Sequence, residues 1–323
     1  MTASPPPAWR TWLAATRPRT LAAGLVPVAV GTALPGPGIP VRWDAAAGCL
    51  IGALLIQIGV NFANDAFDGI KGADAPGRLG PPRAVASGLV SPRAMLIATA
   101  LVLLAALGVG LWLATIGGWP ILILGLVSLL CAVAYTGGPF PLAYHGLGDL
   151  FVLLFFGLFA VLGSVWVQVA DWVARMYAAG TPLTFRAGMS YTDQWLLRLP
   201  GEWWLIATAV GLQATAIIAV NNLRDIATDA RVGKRTLAVR LGDRRSRIYY
   251  GLLHLAAAGC WWGAATLLER PWLMVPAAIA TIGGAALARG VARAQGTDLN
   301  RYLARSAALE LITGMSAVAT LRI

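Results

Sequence analysis

Residues 94–116 read A-M-L-I-A-T-A-L-V-L-L-A-A-L-G-V-G-L-W-L-A-T-I, without one charge. A helix of that length spans about 34 Å, enough to cross the hydrocarbon core of a bilayer. The same pattern predicts further spans over Leu21–Leu34, Ala45–Phe62, Trp119–Tyr135, Leu147–Ala170, Glu202–Val220, Ile248–Leu268, Trp272–Ala288 and Leu303–Leu321, the first of them short. Gly24, Pro27, Gly157, Gly163 and Pro276 fall inside these spans. Neighbouring helices can satisfy the backbone that such residues disturb. Composition agrees: 58% of the 323 residues are hydrophobic and 12% charged, with a mean hydropathy of +0.70. The usual charged share of a soluble domain is about 25%. The expected fold is an all-α integral membrane bundle of about nine transmembrane helices.

The charges sort by side. Of the 25 Lys and Arg, 19 fall in the N-terminal segment, in the connections after the second, sixth and eighth spans and, as Arg305, in the first turn of the ninth span. The positive-inside rule then places the N-terminus in the cytoplasm and, with nine spans, the C-terminus outside the cell membrane. The net charge of +11 follows from this topology and from anionic membrane lipid, with no need of nucleic acid. Residues 1–20 carry no basic region ahead of an apolar core and read as a cytoplasmic tail, not a cleaved signal. The remainder, 21–323, reads as a single transmembrane domain with an extended non-cytoplasmic connection at about 171–200, where Trp172, Tyr177, Tyr191 and Trp195 suit the headgroup level.

Several chemistries drop out. His145 and His254 are far apart, and Cys49, Cys131 and Cys260 each stand alone in an apolar run, which excludes a Cys/His zinc site. No G-x-S-x-G turn is present. Gly233-Lys234-Arg235-Thr236 has the ending of a Walker A loop, but Thr228 occupies the place of its first glycine.

What remains is concentrated in two connections on the positively charged side. The first is Asn61-Phe-Ala-Asn64-Asp65-Ala-Phe-Asp68-Gly-Ile-Lys71-Gly-Ala-Asp74, followed by Arg78 and Arg83. The second runs from Asn221-Asn222-Leu-Arg224-Asp225 through Asp229 and Lys234-Arg235 to Gly242. Both begin where an apolar helix ends, then give Asn, spaced Asp, Gly and a basic cluster. They lie four spans apart, an internal repeat that suggests two four-helix halves with a ninth helix appended. If the helices continue, Asp65 and Asp68 (i, i+3) and Asp225 and Asp229 (i, i+4) each share a face. For one such loop, a solvated surface with Lys71, Arg224, Arg231 and Lys234 as ion-pair partners would suffice. For two, oxygen ligands without Cys or His suit a hard ion, and Mg²⁺ is usually held by one or two carboxylates plus substrate phosphates.

These two stretches resemble the Asp-rich motifs of the UbiA superfamily of intramembrane aromatic prenyltransferases. With Tyr135–Asp149 as a third matching stretch, the likeness is greatest to the members that use 1,4-dihydroxy-2-naphthoate. The resemblance implies a UbiA-type bundle and transfer of a polyprenyl group from polyprenyl diphosphate to 1,4-dihydroxy-2-naphthoate, with loss of CO₂ and diphosphate, giving demethylmenaquinone. It implies Mg²⁺, two ions bound with the diphosphate, clamped by Asp65, Asp68, Asp225 and Asp229 as the catalytic acids, with Asn64 and Asp74 supporting. Lys71, Arg83, Lys234 and Arg235 would neutralise the diphosphate oxygens. Asn61, Tyr135, Tyr144, Asn222 and Arg224 would meet the acceptor or the prenyl group, Tyr135 and Tyr144 (and Phe140) through cation–π contact and Arg224 through the acceptor carboxylate. The connection at 171–200 is longer than that family's pattern.

Other acceptors, 4-hydroxybenzoate or homogentisate among them, stay open at this stage. A secondary transporter would also show repeats and acids, but near the bilayer midplane, whereas these clusters lie at helix ends.

Overall fold

The computed structural model describes residues 6–72, 83–178 and 199–323, and all regular structure among them is helical. After α1 (Ala8–Ala15) come α2 (Pro18–Ala33), α3 (Trp43–Ile70), α4 (Pro92–Gly117) and α5 (Trp119–Ala134). A short α6 (Gly148–Val152) passes through a π-helical stretch, Leu153–Phe159, into α7 (Ala160–Ala178). The second part holds α8 (Gly201–Arg231), α9 (Leu237–Leu267), α10 (Met274–Val291) and α11 (Leu299–Leu321). By length and apolarity, five helical segments suffice to cross a membrane: Trp43–Ile70, Pro92–Gly117, Gly148–Ala174, Gly201–Arg231 and Pro271–Val291. Ala23–Ala33 and Trp119–Ala134 are apolar but shorter. The chain is thus an all-α, multi-pass membrane protein.

The apolar side chains face two ways. Leu101, Leu104, Leu130, Leu255 and Ile282 are exposed on the outside of the bundle, a surface suited to lipid. Val26, Val30, Val161, Val165, Ile206, Val210 and Trp261 are buried where α2, α7, α8 and α9 meet. Helix α8 is the hub, packed on α9, on α11 and on the π-helical stretch, while α11 returns to α2 and closes the bundle. Two glycines meet where the π-helical stretch crosses α8: a Cβ on Gly157 would stand 2.7 Å from the Gly211 Cα and 2.8 Å from the Ala207 carbonyl oxygen. Small residues let two helix backbones meet in this way, and the crossing sets the π-helical stretch against α8.

Two expectations change. Residues 8–15, read as part of a tail, fold as α1. Thr11 and Ala15 are buried, and Trp12 packs edge-on against Phe62 of α3 at 5.6 Å between ring centroids. The motif helices also outrun their apolar spans. α3 continues to Ile70 and α8 to Arg231, because a polar stripe facing a shared cavity is as compatible with helix as an apolar one. Within the long connection, α7 extends to Ala178, and 179–198 lie outside the described residues.

One acid has no evident structural use. Glu310 of α11 is 1% exposed, and neither carboxylate oxygen has a hydrogen-bond partner among the described residues. An unsatisfied buried polar group costs about 1–3 kcal/mol. Glu310→Met is therefore expected to raise the thermal unfolding midpoint in detergent, with prenyl transfer retained; a lowered midpoint would show that the carboxyl is satisfied.

Candidate active site

The last turns of α3 and α8 carry the polar residues at helical spacing. Asn61, Asn64, Asp65 and Asp68 follow i, i+3, i+4, i+7 on α3, and Asn221, Asn222, Asp225, Thr228 and Asp229 form the corresponding band on α8. Both bands meet at one cavity of about 240 Å³. Its walls include Asn61, Asn64 and Asp68 from α3 and Asn221, Asn222, Asp225 and Asp229 from α8, with Arg83, Lys234 and Tyr135. The two Asp-rich stretches thus open on a common vestibule.

Asp68 is the focus of the first half. It is 2% exposed, its Oδ1 accepts a 2.8 Å hydrogen bond from the Tyr144 hydroxyl, and its Oδ2 lies 3.7 Å from Arg83 Nη2 and 3.8 Å from Lys234 Nζ. Lys234 comes from the loop after α8, so one carboxylate of the first half is tied to a cation of the second. Asn64 is fixed by Thr136, whose hydroxyl donates to Asn64 Oδ1 at 2.8 Å.

Asp65 takes a different place. Its two oxygens accept the backbone N–H groups of Ala84 (3.1 Å) and Val85 (3.0 Å), and it is not among the residues lining the vestibule. The reason is directional, since Asp65 and Asp68 are about 60° apart around a helix of 100° per residue, and the loop returning at Arg83 packs over Asp65. By capping the backbone just after Arg83, Asp65 holds that arginine against Asp68.

Arg224 is likewise turned away from the cavity. Its Nε and Nη2 donate to the two oxygens of Asp225 at 2.7 and 2.6 Å, Nη1 donates to Asn300 Oδ1 at 2.6 Å, and Nη2 also reaches Asn221 Oδ1 at 2.9 Å. With these acceptors satisfied at 6% exposure, the guanidinium orients Asp225 and Asn221 and is not placed to hold an acceptor carboxylate.

The four expected diphosphate cations separate. Arg83 and Lys234 line the vestibule, whereas Lys71 and Arg235 line a second groove with His145 and Arg240. Tyr144 is the partition: Lys71 Nζ lies 4.7 Å and Lys234 Nζ 5.5 Å from its ring centroid. Lys71 also donates to the Thr136 carbonyl at 2.9 Å. Asp74 lies outside the described residues.

The sequence reading missed Arg17, Gln57, Thr228 and Arg231, all of which line the vestibule. Arg17 sits between α1 and α2 with φ 55° and ψ 64°, a left-handed conformation uncommon outside glycine. The available signal was its place before Pro18, where a helix must begin again. Asp149 was read only as the end of a motif, yet it is 5% exposed and accepts from Asn222 Nδ2 at 3.3 Å.

Below the polar vestibule lies an apolar cavity of about 260 Å³, walled by residues such as Gly52, Leu122, Phe155, Phe159 and Gly163. Gln57, Tyr135, Val152 and Phe156 line both cavities, so Tyr135 stands at their junction.

The vestibule's donor set is oxygen only, which fits a hard divalent ion. Among the described residues no three His, Cys, Asp or Glu side chains are gathered closely enough to hold one unaided.

The model of the UbiA prenyltransferase family matches residues 24–308. The 1,4-dihydroxy-2-naphthoate octaprenyltransferase of Mycobacterium tuberculosis is 37% identical over 82% of this chain and 80% of its own, and the protein of the same name from Escherichia coli is 35% identical over 82% and 83%. Among solved structures, a UbiA homolog from Archaeoglobus fulgidus bound to GPP and Mg²⁺ superposes with a TM-score of 0.64 at 15% identity, over 96% of this chain and 99% of that one. A UbiA homolog from Aeropyrum pernix gives 0.66 at 18% identity, over 93% and 96%. On the match to its family model and the identity with these relatives, the chain belongs to the UbiA prenyltransferase family.

Proposed function

We propose that this protein transfers a polyprenyl group from polyprenyl diphosphate to 1,4-dihydroxy-2-naphthoate in the cell membrane. The allylic C–O bond breaks, diphosphate leaves with the bonding electrons, and the cation forms a C–C bond at the ring carbon that loses CO₂. The balance gives demethylmenaquinol, the reduced form of demethylmenaquinone. The observation that carries the reading is the junction at Tyr135, where a vestibule of acids and cations meets an apolar cavity. A polar headgroup and a long isoprenoid need such neighbours.

The residues divide the work. The charge that develops on the departing diphosphate is the main electrostatic task. Arg83 and Lys234, held beside Asp68, face its non-bridging oxygens, with Arg17 and Arg231 at the same cavity. Asp68, Asn64, Asp225 and Asp229 would hold Mg²⁺, which supplies Lewis-acid stabilisation of the leaving group when bound. The tail lies in the apolar cavity, along Phe155 and Phe159. Tyr135 offers its ring to the allylic cation, and the bundle keeps water from it. Lys71 and Arg235, beyond Tyr144, act at the entrance and not on the reacting diphosphate. Asp74 remains assigned to the metal on the resemblance of its motif. The nine segments first read as spans are taken as nine crossings, with the N-terminus cytoplasmic and the C-terminus outside, which puts the vestibule on the cytoplasmic side.

Purified protein with Mg²⁺, labelled polyprenyl diphosphate and 1,4-dihydroxy-2-naphthoate is expected to release diphosphate and CO₂ and form demethylmenaquinol. Use of 4-hydroxybenzoate or homogentisate, with the dihydroxynaphthoate inert, would overturn the acceptor assignment.

A further inference from the structure

Two consecutive asparagines of α8 line the vestibule, and their neighbours fix them with opposite polarity. Asn221 Oδ1 accepts from Arg224 Nη2 at 2.9 Å, and Asn222 Nδ2 donates to Asp149 Oδ1 at 3.3 Å. A guanidinium only donates and a carboxylate only accepts, so neither amide can be turned over without loss. The Tyr249 phenol hydrogen-bonds the same Asp149 carboxyl, which holds it from a second side. Among the described residues, Asn221 Nδ2 donates to no acceptor and Asn222 Oδ1 accepts from no donor. The cavity is therefore offered a donor at 221 and an acceptor at 222.

We propose that Asp149 is a positioning residue for the aromatic acceptor: by fixing the Asn222 amide it presents Oδ1 to a ring hydroxyl, while Asn221, fixed by Arg224, presents its NH₂ to the acceptor carboxylate. The inference deepens the proposed function and rests on it. It also accounts for Arg224, which serves the carboxylate through Asn221 and not by contact. A site built around a hydrogen-bonding acceptor discriminates against analogues that lack the hydroxyl, because its own buried polar atom is then left unpaired.

The test uses inhibitors that differ by one group: 2-naphthoate, 1-hydroxy-2-naphthoate and 4-hydroxy-2-naphthoate, each competed against the dihydroxy substrate. In the unaltered protein at least one hydroxy analogue is expected to bind about five- to tenfold more tightly than 2-naphthoate, the scale of one hydrogen bond. In Asp149→Asn the new amide can donate to Asn222 and reverse it, so the hydroxyl advantage should fall to about onefold while KM for polyprenyl diphosphate stays within about twofold. Asn222→Leu should give the same ratio by a different route and serves if Asp149→Asn does not accumulate. A hydroxyl advantage that persists in either variant, or equal changes in KM for both substrates, overturns the inference. If no naphthoate inhibits the unaltered protein and the dihydroxynaphthoate is not consumed, the functional reading itself fails, and this inference with it.

Discussion

Asp68→Ala is expected to lower kcat for diphosphate release by about 10²–10³-fold, the scale seen when one preorganised electrostatic contact to a developing charge is removed. Among the described residues Asp68 is the carboxylate of the first half that lines the vestibule, and it also holds Tyr144, Arg83 and Lys234 in place. Under the proposed function its loss removes an oxygen ligand, and it loosens the cations at the same time. Asp65→Ala should behave differently. The two backbone amides it accepts would be left buried and unpaired, at about 1–3 kcal/mol each. The thermal midpoint should then fall clearly for Asp65→Ala and change by less for Asp68→Ala, whereas Asp68→Ala suffers the larger loss of kcat at saturating substrates. Equal midpoints with equal kcat losses would place both carboxylates in the same role. The measurement is a thermal melt in detergent beside a continuous diphosphate assay.

Gly157→Val should be strongly damaging without altering any acid. Any Cβ at 157 would meet backbone of α8 below 3 Å, at the Gly211 Cα and the Ala207 carbonyl, and backbone cannot step aside as a side-chain tip can. Overpacking of this kind costs about 1–3 kcal/mol and occasionally more. Here the displaced elements bear Phe156 on one side of the cavities and Asp225 on the other. The expected result is a sharp loss of folded protein, with Gly157→Ala between it and the unaltered chain. A Gly157→Val protein with an unchanged melting midpoint and full activity would mean that the crossing has room for a side chain.

The polar stripes were legible because they are local. Asn61, Asn64 and Asp68, or Asn222, Asp225 and Asp229, declare one helix face through spacing alone. The lack of paired Cys or His pointed to oxygen ligands in the same way. Asp65 was misplaced for the complementary reason. Its neighbour in the sequence pattern is Asp68, but its partners in space are the amides of Ala84 and Val85, some 20 residues away. Arg224 misled similarly, because nothing in its own surroundings in sequence announces Asn300 of α11.

Sequence by itself determined that this chain is a helical membrane protein with two acid-bearing helix ends, since both apolar length and helical spacing are properties of contiguous residues. Tertiary structure decided which acid faces the shared cavity, which cations stand beside it and which amide groups point inward. Those choices depend on contacts between α3, α6, α8 and the loops beyond them, and helix packing in lipid is set by close fit at places such as Gly157 and Gly211, not by any periodicity of the chain.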